Sequence, residues 1–145
     1  MALQASLATA DTAIAAPDRE HAPEQVVSII IGALQSNDPA SDSGIATVYR
    51  FASPANRAST GPLARFSNMI KRGFPDMLNH VRARYTPMQV QDDQALQAVW
   101  LSTPDGRENG YGFQLSRQRG GEFDGMWMTD AVIPLGPGAQ SGIRI

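Results

Sequence analysis

The pattern of the sequence changes near Asn79, and this change constrains the fold more than any other feature of the chain. Before it, apolar residues recur at helical spacing. After it, runs rich in aromatic and β-branched residues are interrupted by turn-forming residues. Helices and strands that are segregated along a chain are typical of the α+β class, in which helices cover one face of an antiparallel sheet. The sequence therefore predicts an α+β domain.

Three helices are predicted in the first half of the chain. The first begins at Pro23, because proline fits the first turn of a helix, and its nearly continuous apolar surface predicts that it is buried. Residues 41–43 offer N-caps for the second helix, which Pro54 either stops or reinitiates. The third begins at Thr60-Gly-Pro62 and ends at Gly73, a typical C-terminal glycine.

The second half of the chain predicts an antiparallel sheet. Short turns such as Pro104-Asp-Gly106 separate the strands, so successive strands run in opposite directions. Both faces of the strand around Trp100 are largely apolar. One face is expected to meet the helices and the other a second subunit, which predicts a homodimer through the sheet. The four predicted strands cover roughly residues 80–91, 94–103, 108–118 and 124–134.

Length and composition exclude several classes of function. The 145 residues fit one domain, predicted at 23–135 between a disordered tail at 1–22 and a flexible tail at 136–145. The 12 basic residues are scattered among 14 acidic ones, which argues against nucleic acid or an anionic membrane as partner. With no cysteine and two histidines, no metal site is expected, and the chain has no glycine-rich nucleotide loop that would argue for a redox cofactor. Lacking a signal sequence or a long apolar span, the chain is expected to be cytoplasmic.

His80 and Asp130 are the main candidates for chemistry. His80 stands at the predicted start of the first strand, where an imidazole can exchange protons near pH 7 or simply bond to a loop carbonyl. Asp130 lies in an otherwise apolar strand, where an unpaired carboxylate is costly, so it either serves catalysis, pairs with Arg117 or Arg57, or bonds to backbone amides. Tyr49 on the second helix either aims its hydroxyl into a cavity or packs in the core.

A second set of residues is predicted to bind the substrate. Alternation along the last strand places Asp130 on the same face as Met126, Met128 and Val132, where methionines would form an adaptable apolar wall, although core packing is the commoner explanation. Arg57 can hold a substrate carboxylate or pin the helices to the sheet. The predicted substrate-binding residues are Met69, Trp100, Phe113, Met128, Arg57 and Arg117.

Several short motifs resemble the DUF4864 family of small proteins. They are Pro23-Glu-Gln-Val-Val27, Ala33-Leu-Gln-Ser-Asn-Asp38, Phe51-Ala-Ser-Pro-Ala-Asn-Arg57, Thr60-Gly-Pro62, Arg65-Phe66, Leu78-Asn-His80, Leu115-Ser-Arg-Gln118 and Trp127-Met-Thr-Asp130. The resemblance covers roughly residues 23–135. Where a Cys-Trp-Met-Thr-Asp-Gly run is expected in that family, this chain has Met126 and Ala131 instead of the cysteine and the glycine.

We associate this family with the nuclear-transport-factor-2-like (NTF2-like) superfamily, and the resemblance implies a cystatin-like cone. In such a cone three N-terminal helices pack on a curved antiparallel sheet of four or more strands and enclose a pocket. Relatives in the superfamily include dehydratases, ketosteroid isomerases, epoxide hydrolases and polyketide cyclases that work without a redox cofactor, alongside members that only bind or dimerise.

The resemblance thus implies a cofactor-independent cyclase, isomerase or dehydratase acting on an apolar, natural-product-like substrate, with His80 and Asp130 as the acid/base pair and Tyr49 as the polar assistant. The alternatives are a non-catalytic module that binds a small ligand and a scaffold with a filled cone that forms a homodimer. A cavity of a few hundred Å³ with Asp130 exposed to it would support chemistry or binding. A densely packed core with Asp130 paired to an arginine would support the scaffold.

Overall fold

The computed structural model describes residues 15–137, which form an α+β domain as predicted. The described part contains four α-helices, α1 Pro23–Gln35, α2 Ser43–Arg50, α3 Pro54–Thr60 and α4 Leu63–Gly73, followed by a 3-10 turn at Pro75–Met77. Its strands are β1 Arg82–Tyr85, β2 Gln89–Gln91, β3 Gln94–Ser102, β4 Glu108–Arg117 and β5 Trp127–Pro137. Within residues 15–137, no helix combines the length and apolar character that a membrane crossing requires.

The predicted number of three helices is wrong, because Pro54 starts a helix of its own. Ser53 adopts an extended conformation before it and caps α3: its Oγ accepts a hydrogen bond from the Asn56 N–H at 3.2 Å. Proline suits the first helical turn, where an N–H would have no intrahelical partner. Gly61, with a φ of 85°, ends α3 and allows α4 to begin two residues later.

The sheet is antiparallel with the order β1-β3-β4-β5, and β2 also pairs with β3. The single strand predicted at 80–91 is therefore wrong, because Thr86-Pro-Met88 interrupts it. Pro87 has no N–H to contribute to a ladder. Thr86 bridges the gap with its side chain, whose Oγ1 accepts from the Ala98 N–H at 3.1 Å and donates to the Ala98 carbonyl at 3.0 Å.

The helices pack on one face of the sheet and form the core with it. In β3, burial alternates so that Ala95, Gln97, Val99 and Leu101 are buried, whereas Leu96 on the opposite face is 45 % exposed. The buried face of the sheet meets the apolar side of α1. Fully buried side chains of this core include Val26, Val27, Ile30, Leu34, Val99, Leu101, Phe113 and Leu115.

Residues 15–22, predicted as part of a disordered tail, lie against the domain. The Ala15 carbonyl accepts a hydrogen bond from Arg50 Nε at 2.8 Å, and Arg19 Nε donates to the Asp124 carbonyl at 2.9 Å. At the other end, β5 continues to Pro137, past the predicted domain end at 135. The remaining parts of the predicted tails, 1–14 and 138–145, lie outside the described residues.

Candidate functional site

A cavity of about 380 Å³ lies between α3, α4 and β5. Its buried lining residues are apolar except for Thr129; the apolar ones are Ile30, Leu34, Val48, Phe66, Ile70, Met77 and Phe113. Its partly buried or exposed polar residues form what we call the rim: Asn56, Ser59 and Thr60 from α3, and Asp130 from β5. A largely apolar cavity of this size with a few polar groups is typical of a small-molecule site.

The cavity opens where the edge of β5 is uncovered. Residues 51–53 cover only the beginning of this edge: the Thr129 N–H donates to the Phe51 carbonyl at 2.8 Å, and the Ser53 N–H donates to the Thr129 carbonyl at 2.8 Å. This contact is a single parallel bridge between Ala52 and Thr129. After Ser53 the chain turns away from β5 and forms α3. The space between α3 and β5 is part of the cavity.

A β-bulge places Asp130 beside the cavity. Leu115 pairs with Thr129, but Gln114 pairs with Ala131, so Asp130 is an extra residue without a partner across the ladder. A bulge shifts the alternation of all residues that follow it. The prediction that Met126, Met128, Asp130 and Val132 all share one face of the strand is therefore wrong.

The side chain of Asp130 forms no hydrogen bond or ion pair with any residue of the described part of the chain. Both of its predicted partners are engaged elsewhere. Arg117 pairs with Asp93, with Nη2 2.7 Å from Oδ1. Arg57 donates to two backbone carbonyls at the end of α2, at 3.3 and 3.0 Å. Asp130 thus lines the cavity without an ion-pair partner, and it also lines a second cleft with Leu96 and Gln114 of the outer face of the sheet.

His80 does not line the cavity. It is buried beside the 3-10 turn, where its Nδ1 lies 2.8 Å from the Met77 carbonyl oxygen. Because a carbonyl only accepts, Nδ1 carries the proton and donates it. The opposite nitrogen, Nε2, is buried and has no hydrogen-bond partner among residues 15–137. This is the geometry of a histidine that satisfies a loop carbonyl.

Tyr49 and Arg57 hold the corner between α2 and α3. The Tyr49 hydroxyl donates to the Gly61 carbonyl at 3.0 Å, and its ring packs against Phe66 with the ring centroids 5.2 Å apart. The Arg57 guanidinium lies 4.8 Å from the centroid of the Tyr49 ring. Neither residue lines the cavity. Together they fix α3 in the position that brings Asn56 to the rim.

The structure brings only part of the predicted site together. Met69, Phe113 and Asp130 line the cavity, whereas these do not: His80, Tyr49, Trp100, Met128, Arg57 and Arg117. Trp100 shares the outer face of β3 with Leu96, and its ring lies against Gly110 of β4.

No sequence signal marked the rim residues of α3. Asn56, Ser59 and Thr60 are ordinary residues for a short polar helix, and they acquire a role only because α3 lies over the edge of β5. The link is direct, since Asn56 Nδ2 donates to the Thr129 carbonyl at 3.1 Å. Among residues 15–137, no three histidines or carboxylates are grouped so that they could hold a metal ion.

A family model matches residues 17–137, and its description is Domain of unknown function (DUF4864). The matched region includes every helix and strand described above. The comparison with curated proteins gives no match, and neither does the comparison with solved structures. Any proposal for the function therefore rests on the cavity and its rim.

Proposed function

Since the chain belongs to the DUF4864 family, a domain of unknown function, we propose its function from the geometry of the site: it binds an apolar small molecule in the cavity between α3, α4 and β5. The observation that carries the proposal is the cavity of about 380 Å³ itself, apolar in its depth and polar at its rim. A ligand that fills it removes apolar surface from water, while the rim orients its polar end.

The alternative of a filled scaffold receives less support. A core packed at ordinary density leaves no space of this volume. The scaffold also required Asp130 to be paired with an arginine, yet Arg57 and Arg117 have other partners. Both observations favour an occupied site over a purely structural one.

Binding is tested with neutral apolar alcohols of different shape, namely octanol, menthol and borneol. Met69 and Met77 line the cavity, whereas Met88 does not. We therefore expect at least one alcohol to shift the methyl resonances of Met69 and Met77 saturably and to leave that of Met88 in place, as followed by ¹³C NMR. The absence of a saturable shift with all three alcohols would contradict the proposal.

A pair of variants locates the ligand. Ser59 is exposed at the rim, and its neighbour Ala58 is equally exposed but does not line the cavity. Ser59→Phe should obstruct the rim and weaken binding of the alcohols at least tenfold, whereas Ala58→Phe should retain wild-type affinity. Equal affinities in the two variants would place the bound alcohol elsewhere.

The carboxylate of Asp130 favours a second candidate function, cofactor-free acid–base catalysis. A carboxylate without an ion-pair partner beside an apolar cavity can take a proton from a bound substrate, as a cyclase, isomerase or dehydratase requires. The roles of His80 and Tyr49 as its partners stay predictions, and neither residue lines the cavity. With a natural-product-like substrate that the wild type converts, Asp130→Asn should lower kcat by roughly 10²–10⁴-fold. Unchanged turnover would exclude Asp130 as the base.

We also infer that the fold is a cystatin-like cone of the NTF2-like superfamily. The inference is supported by the order of the elements, with the helices preceding an antiparallel sheet, and by a cavity between the two layers. A crystal structure would test it by direct superposition on known cone folds.

A homodimer through the outer face of the sheet is likewise a proposal. Apolar side chains support it, because Leu96, Ile133 and Leu135 are 45, 42 and 47 % exposed. Removing such surface from water favours association. Sedimentation equilibrium of the wild type and of Leu96→Glu tests it: a dimer that the variant dissociates is expected, and a monomeric wild type would refute it.

A further inference from the structure

Every polar side chain at the rim of the cavity offers a hydrogen-bond acceptor, and the Ser59 hydroxyl can also donate. Asn56 donates one of its two amide N–H groups to the Thr129 carbonyl at 3.1 Å, and its Oδ1 accepts no hydrogen bond within residues 15–137. The Thr60 hydroxyl donates to the Asn56 carbonyl at 3.0 Å, so its lone pairs stay available. The ionised carboxylate of Asp130 can only accept. The rim is therefore suited to a group that donates hydrogen bonds.

The side chain of Asp130 at the rim has no ion-pair partner in the described part of the chain. Arg65 and Arg72 line a neighbouring cleft that shares Ser59, Thr60 and Met69 with the cavity. No lysine, arginine or histidine lines the cavity. A partly buried carboxylate without a counter-ion is unfavourable, and a cation supplied by the ligand would remove this penalty. A ligand carboxylate would instead be repelled by Asp130 and would find few donors.

We propose that the ligand of this cavity is an apolar molecule with a protonated amine, whose hydrocarbon part fills the cavity and whose ammonium group binds at Asp130 and Asn56. An ammonium group has three donors and no acceptor, which matches the rim in both charge and hydrogen bonding. The inference rests on the proposed ligand-binding function and specifies the class of ligand.

Three probes with the same alkyl chain test the inference: octylamine, octanol and octanoate, measured by calorimetry at pH 7 with the wild-type chain. We expect octylamine to bind at least tenfold more tightly than octanol, because a hydrogen bond to a charged group contributes more than a neutral one. Octanoate should bind more weakly than octanol. The shift of the Met69 methyl resonance checks that each bound probe occupies the cavity.

Asp130→Asn is the matching variant, because it removes the charge and keeps the shape of the side chain. Its affinity for octylamine should fall about tenfold, its affinity for octanol should change less than twofold, and octanoate should gain. Glu122→Gln, on an exposed loop away from the cavity, removes the same charge and should leave the three affinities unchanged.

Two results overturn the inference and leave the proposed function standing. In the first, octanol binds in the cavity as tightly as octylamine. In the second, Asp130→Asn and Glu122→Gln reduce the affinity for octylamine equally. If none of the three octyl probes shifts the Met69 resonance although menthol or borneol does, the inference fails and the proposed function stands; if menthol and borneol also leave it in place, both fail.

Discussion

The close approach of α1 and α2 depends on Gly44, and Gly44→Ala should destabilise the fold. A Cβ atom at this position would lie 2.1 Å from the Ala33 carbonyl oxygen and 2.9 Å from Asn37 Oδ1. The first of these atoms belongs to the backbone of α1, so no side-chain rotation relieves the contact. The substitution therefore forces α2 away from α1.

The magnitude follows from three contributions. Overpacking at a backbone contact costs about 1–3 kcal/mol, and this contact lies at the severe end. Asn37 Oδ1 also accepts from the Ile45 N–H at 3.1 Å, and displacing Asn37 from this buried bond costs about another 1 kcal/mol. Alanine is favoured over glycine in a helix by about 1 kcal/mol, which offsets part of the loss. We expect a net loss of about 2–3 kcal/mol.

The assay is urea unfolding followed by far-UV circular dichroism, with Gly32→Ala as the matched control. Gly32 lies exposed on α1, and a Cβ there meets nothing within 4 Å. The control should therefore gain up to about 1 kcal/mol from helix propensity. Because Val48 of α2 lines the cavity, Gly44→Ala should also weaken octanol binding. A Gly44→Ala variant that is as stable as the control would refute the close contact and the reasoning built on it.

Two further predictions concern Gly110 in β4 and the ion pairs of Asp93. A Cβ on Gly110 would meet the Trp100 ring at 2.3 Å, so Gly110→Ala should cost about 1–2 kcal/mol in urea unfolding. Gly112→Ala on the same strand should change stability by less than about 0.5 kcal/mol, and equal losses would contradict the placement of the ring. Hydrogen bonds from Arg117 and Arg119 hold the pKa of Asp93 below its usual value, so its stabilising contribution is complete above about pH 4, near the unfolded pKa, and is lost as the pH falls through the folded pKa. Urea unfolding from pH 7 to 2.5 should show the stability difference between the wild type and Asp93→Asn shrinking below about pH 4; a constant difference would contradict this.

The fold class was predictable because its signals are local. Pro23 does start α1, since proline acts through its own backbone geometry, and Gly73 is the last residue of α4, although its φ is not positive. The same kind of signal was ambiguous at Pro54, which is compatible with either the end or the start of a helix. Pro54 starts a helix here because Ser53 caps α3 and pairs with β5. That pairing is a long-range contact.

The errors at the site have the same origin. Both faces of β3 are apolar, so the sequence does not reveal that Val99 faces the helices and Trp100 the outer side. Alternation along β5 failed at Asp130, because a bulge is set by the register with β4 and leaves no local mark. Asp130 itself was identifiable, since a carboxylate within an apolar strand is conspicuous in any register.

The contrast between residues 51–57 and Asp130 indicates where function resides. Each polar side chain of that segment has a structural bond: Ser53 caps α3, Asn56 reaches β5, and Arg57 binds the end of α2. These bonds hold α3 over the edge of the sheet and thereby create the cavity. The side chain of Asp130 contributes no such bond within residues 15–137. Its place at the rim is therefore better explained by the ligand binding that we propose than by a contribution to the stability of the fold.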